Sequence, residues 1–184
     1  MEKMQINRVS KVVTVPENVE ANLTERIITM QGPKGNLSRS FFYPEVTIQL
    51  DKNSIVISTS SNRKRQRAMV GTFFSHIRNM IIGITQGFTC KMKVVYSHFP
   101  MSVKVLKDEI VIDNYLGEKI SRKTKIVGSC KVSIKGSEIV VSGIDKETVG
   151  QTVANIEKKT RVKKRDSRVF QDGIYLIERD GVKI

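Results

Sequence analysis

Two stretches, IQLDKNSIVIS (residues 48–58) and VSIKGSEIVVS (residues 132–142), carry one pattern 84 residues apart (132 against 48). In each, apolar side chains at alternate positions lead into a short polar turn and then a β-branched run. That is the signature of a half-buried strand, a turn and a returning strand. A repeat spacing this long does not fit a solenoid. The echo therefore predicts two tandem copies of one domain, arisen by duplication.

Reading outward supports the same plan twice. Before the first hairpin, KVVTV (11–15) is a strand ended by Pro16, and ERIITMQ and NLSRSFF flank a GPKG turn (32–35). After it the period changes. Met69, Val70, Phe73, Phe74, Ile77, Met80, Ile81 and Ile84 share one helical face, with Asn62 as the expected cap and Gly87 as the stop. The second copy offers strands at MKVVYSHF, VKVL and EIVIDN, then the echoed hairpin. A helix follows, capped by Asp145, with Glu147 in its first turn and Val149, Val153, Ile156 and Thr160 facing inward. VFQDGIYLI supplies a last strand. The predicted fold class is α+β: two duplicated domains, residues 1–86 and 87–184, each a small, mainly antiparallel sheet packed against one helix.

Charge indicates the partner. Lys plus Arg number 32 against 18 Asp plus Glu, a formal net charge of +14 and a pI near 9.9. That is the footprint of a polyanion binder. Catalytic chemistry is hard to find. The histidines are His76, inside the predicted first helix, and His98, and no nucleophile elbow, P-loop or zinc-spaced His/Cys set is present. An RNA-modifying enzyme would need a cofactor loop or a general base among the cations, and neither is visible. No cofactor or metal is expected. Cys90 and Cys130 form no CxxC and read as reduced thiols. The apolar runs are too short to span a bilayer, and the start lacks a signal-type apolar segment, so a cytosolic protein without a membrane partner is expected.

The cations fall in three clusters. Arg63, Lys64, Arg65 and Arg67 stand at the start of the first helix, opposing its dipole by a few tenths of a kcal/mol each, roughly, unless an anion lies near. Residues 119–131 hold Lys119, Arg122, Lys123, Lys125 and Lys131 with no acid. On a strand, Arg122 and Thr124 oppose Lys123 and Lys125, and with cations on both faces the segment is expected as an exposed, extended ribbon or loop. Residues 158–168 (KKTRVKKRDSR) hold seven cations and one acid, and Lys163, Lys164, Arg165 and Arg168 lie beyond what a helix end requires. Only 6% of residues are aromatic, which favours reading backbone and shape over unstacked bases. The GPKG turn fits the GXXG of a KH domain, but that loop joins two helices and this one joins strands.

Several stretches, ITMQGPKGNL (28–37), NMIIGITQGFTCKMKVVYSHFP (79–100), NYLGEK (114–119) and RVFQDGIYLIE (168–178), resemble the L-six family of large-subunit ribosomal proteins. The likeness is greatest to its archaeal and eukaryotic branch, whose eukaryotic members are called L-nine. Arg168, Phe170, Asp172, Gly173, Ile174 and Tyr175 fit the family's R-x-F-x-D-G-hydrophobic-aromatic signature. The resemblance implies a structural, non-catalytic constituent of the cytoplasmic large subunit. It implies binding to rRNA near the sarcin–ricin loop and the translation-factor site, mainly through the second domain, among neighbouring ribosomal proteins. The alternative is a free RNA-binding regulator not fixed in the ribosome.

Overall fold

A computed structural model describes residues 9–51, 53–163 and 165–184. The chain divides into two compact units, Met1–Gln86 and Gly87–Ile184. The first runs β1 (Val9–Thr14), β2 (Glu20–Thr24), β3 (Ile27–Gly32), β4 (Gly35–Ser40), β5 (Val46–Asp51), β6 (Ser54–Thr59) and α1 (Lys64–Thr85). The second runs β7 (Phe88–Val95), β8 (Ser102–Leu106), β9 (Glu109–Asp113), β10 (Arg122–Lys125), β11 (Lys131–Lys135), β12 (Glu138–Gly143), α2 (Lys146–Lys159), β13 (Gly173–Arg179) and β14 (Val182–Lys183).

The duplicated hairpins have the same register. Ile48 pairs with Ile57 and Leu50 with Ile55; in the second copy Val132 pairs with Val141 and Ile134 with Ile139. The echo extends to the other hairpin, where Leu23 faces Ile28 and Val105 faces Ile110. Both of those turns open on a side-chain-bearing residue at positive φ, Glu25 at 54° and Lys107 at 50°.

Each unit contains two sheets rather than one. The first has β1-β6-β5 and β2-β3-β4; the second has β10-β9-β8 and β11-β12-β7-β13-β14, all antiparallel. The leading strands end at Thr14, just before Pro16, and at Val95, five residues ahead of Pro100 and short of the strand expected to run to it; the next hairpin of each copy pairs separately. The helix then covers both sheets. Val70, Phe73, Ile77 and Ile84 of α1 are buried with Ile28, Met30, Ile55 and Ile57, and Phe73 meets Phe41 edge-to-face with centroids 5.2 Å apart. In the second unit Ile110, Ile112, Met92, Ile139 and Ile156 are the matching filling.

Helix ends depart from expectation at one place. Arg63, not Asn62, is the N-cap of α1, with no side-chain cap and no acid in the first turn. Asp145 caps α2 as expected, accepting from the Glu147 amide at 3.1 Å. The GPKG turn has a local use: the Lys34 amide donates to the Ile84 carbonyl at 3.1 Å, and its Nζ donates to the Gln86 carbonyl. A cation thus closes the negative end of α1. A Cβ on Gly32 would lie 2.1 Å from Ile84 Cγ2, so only glycine lets this strand end touch the helix end. Among the described residues no helix is long and apolar enough to cross a membrane.

Candidate nucleic-acid interface

The centre of the basic region in the second unit is a tyrosine. Tyr115 lies in a short 3-10 turn (Tyr115–Gly117) and is 1% exposed. Its hydroxyl donates to the Thr160 carbonyl at 2.5 Å and lies 3.3 Å from that of Asp172. Thr160 is the C-cap of α2, and its hydroxyl accepts from the Ile174 amide at 3.1 Å. Tyr115 therefore binds the end of α2, the start of β13 and its own turn together. Burial pushes its phenol pKa up, keeping the donor protonated.

Arg122 completes this anchor and is not a free cation. Its guanidinium lies 4.1 Å over the Tyr115 ring. It grips both Glu118 oxygens, Nε to Oε2 at 2.8 Å and Nη2 to Oε1 at 2.6 Å, and donates Nη1 to the Lys159 carbonyl at 2.6 Å. Those hydrogen bonds hold the Glu118 carboxyl below its ordinary range, although partial desolvation opposes them; the charge of Arg165 adds to the same direction. The expectation of a ribbon exposed on both faces is thereby corrected. Residues 122–125 pair with β9 and pack on α2, and Thr124 is 6% exposed. Thr124 enters the core because a threonine is small enough, and Arg122 follows it because Glu118 neutralises it. Lys123 and Lys125 leave from the opposite face and are exposed, as is Lys119.

Beyond α2, Lys163, Arg165 and Arg168 are exposed, while Lys164 lies outside the described residues. The one acid there, Asp166, builds the turn, its carboxylate accepting from the Arg168 amide at 2.9 Å and its carbonyl from the Phe170 amide at 2.9 Å. Arg165 stacks over Phe170 at 4.7 Å, and Phe170 stacks on His98 at 4.6 Å. His98 Nδ1 lies 2.8 Å from Asp172 Oδ2, and Asp172 Oδ1 accepts from the Ser97 and His98 amides at 2.7 and 3.2 Å. Asp172 is 2% exposed. Burial raises its pKa, but the hydrogen bonds from the His98 ring and the two amides outweigh it, so the carboxyl titrates below its ordinary range. Of the signature residues, Phe170 and Asp172 thus form, with His98, a scaffold under Arg165.

Among the described residues no carboxylate within ion-pair distance engages Lys119, Lys123, Lys125, Lys163, Arg165 or Arg168. The two basic segments meet where Arg122 reaches the Lys159 carbonyl. In the first unit, Arg63, Lys64, Arg65 and Arg67 are exposed around the uncapped first turn of α1, while Gln66 turns inward and donates to Glu45 at 3.1 Å. Sequence reasoning did not find Tyr115, Glu118 or the His98–Asp172 pair as the supports. Only their place within the quoted NYLGEK, SHFP and QDG stretches marked them.

Unpaired cations on a duplicated α+β scaffold define a class of basic, structural proteins associated with nucleic acid. The family model described as Ribosomal protein L6 matches residues 15–87 and again residues 99–173. Large ribosomal subunit protein uL6 of Methanosarcina mazei is 50% identical over 174 residues, covering 95% of this chain and 99% of that protein. The uL6 proteins of Methanobrevibacter smithii and Methanothrix thermoacetophila are 52% and 45% identical, over 91% and 95% of this chain and 94% and 99% of theirs. The chain belongs to the ribosomal protein L6 family, on its archaeal and eukaryotic side, and that family is structural rather than enzymatic.

Proposed function

We propose that the chain, a structural constituent of the large ribosomal subunit, holds rRNA near the sarcin–ricin loop and the translation-factor site, chiefly through its second unit. Lys119, Lys123, Lys125, Lys163, Lys164, Arg165 and Arg168 contact phosphates; Arg122 holds the surface in shape instead. The first-turn cluster Arg63, Lys64, Arg65 and Arg67 is a secondary contact, where α1's unsatisfied amides favour anions. The observation that carries this reading is the set of exposed cations left unpaired around a fully satisfied anchor, Tyr115–Arg122–Glu118. Phosphate contacts of this kind position a protein on RNA without reading bases.

The test reverses Lys163, Lys164 and Arg165 to Glu and follows the full chain through sucrose gradients. Loss from large subunits with unchanged circular dichroism is expected. Normal incorporation sinks the site assignment. A wild-type chain that washes off subunits at moderate salt favours the free regulator instead.

A further inference from the structure

The connection between β4 and β5 reads FFYPE (41–45), three consecutive aromatic residues in a chain only 6% aromatic. The matching connection of the second copy, IVGSC (126–130), has none, so the fold itself does not demand them. Phe41 enters the core against Phe73, but Phe42 is 61% exposed, with the Arg26 guanidinium 4.1 Å over its ring. Beside them an open groove of about 420 Å³ has Leu23, Phe41 and Ile48 among its lining residues, and the acidic residues Glu25 and Glu45 as well. Among the lining residues the one cation is Arg26, already engaged with Phe42. Glu45 is held in place: its carboxylate accepts from Gln66 at 3.1 Å, its carbonyl accepts from the Thr59 hydroxyl at 2.8 Å, and its φ is 63°.

We infer that this groove docks an extended, Lys/Arg-bearing segment of another protein of the particle. The inference rests on the chain's place in the large subunit. Aromatic and arginine side chains beside a groove of mixed polar and apolar lining are the composition of an interface anchor. The two carboxylates decide the kind of partner. In a chain of charge +14, a phosphate entering here would face Glu25 and Glu45, whereas a cationic segment would find its counter-charge. The occupant's cation would find its counter-charge at Glu25 and Glu45, with its apolar stem against Leu23 and Ile48.

The experiment places p-benzoylphenylalanine at position 42 of the full chain, recovers large subunits and irradiates them. A nuclease-resistant adduct to a peptide carrying lysine or arginine supports the inference. Glu25→Lys with Glu45→Gln should cut that adduct at least tenfold in subunits that still contain the chain, which separates docking from assembly. A nuclease-sensitive adduct to rRNA overturns it, as do an unchanged adduct in the charge variant and no adduct in subunits that hold the probe. Should the chain be missing from subunits altogether, the reading of its place in the particle falls, and this inference with it.

Discussion

Arg122 and Lys163 carry the same charge in the same basic region, yet Arg122 is paired and Lys163 exposed, the proposed function gives them opposite roles, and one pair of substitutions separates these. Arg122→Met keeps the apolar stem and removes the guanidinium. It loses a two-pronged, partly exposed pairing with Glu118, about 0.5–1 kcal/mol. It also loses a charged hydrogen bond to the Lys159 carbonyl, about 1 kcal/mol, and a cation over the Tyr115 ring, about 0.5–1 kcal/mol. The total is about 2–3 kcal/mol, or roughly 10–20 °C in the melting of a unit this size. Lys163→Gln removes one exposed charge with no partner among the described residues, so its stability should change by less than about 0.5 kcal/mol. Its rRNA affinity should fall evenly across sequences, with the salt dependence shallower by about one ion. Thermal unfolding by far-UV circular dichroism and salt-titrated filter binding would read both. If Arg122→Met melts like the wild type, or if Lys163→Gln proves the more destabilised, the anchor is misassigned.

Acid should act through the same scaffold. The Glu118 and Asp172 carboxyls titrate low in the folded chain, so their contribution is complete above the ordinary carboxyl range near pH 4, roughly, and fades as pH falls toward their folded values. Asp172→Asn should cost roughly 2–3 kcal/mol at neutral pH and flatten that acid limb, measured by urea midpoints from pH 7 to 3. Gly32→Ala should cost roughly 1–3 kcal/mol, because the added methyl meets Ile84, which is 0% exposed; chemical denaturation reads it. Asp145→Ala removes the α2 cap and should cost about 1 kcal/mol by the same assay.

Much of the fold was legible because it rests on local patterns. The hairpins at 48–58 and 132–142 declare themselves by alternation, and turn chemistry then fixes their register. The inner faces of both helices followed from spacing. The split into two sheets per unit did not, because which strands pair is decided by packing on the helix and not by period. Asn62 has the better capping chemistry, yet α1 begins one residue later, leaving its first turn without a side-chain acceptor. In the basic region, composition located the charge but could not say which cations are spoken for. Arg122 is committed to Glu118 four residues away, a spacing that was readable, and to Lys159 and Tyr115, which was not. His98 and Asp172 stand 74 positions apart and meet only in the folded chain.

The hairpin turns at Glu25–Arg26 and Lys107–Asp108 share their unusual first-residue backbone angle while presenting opposite polarity, acid then base in one and base then acid in the other. The shared angle is kept there although the order of acid and base is reversed. The two dipeptides are therefore interchangeable cassettes: swapping them would reverse the order of acid and base within each turn, leaving the net charge of each half unchanged, without asking the main chain to bend anew.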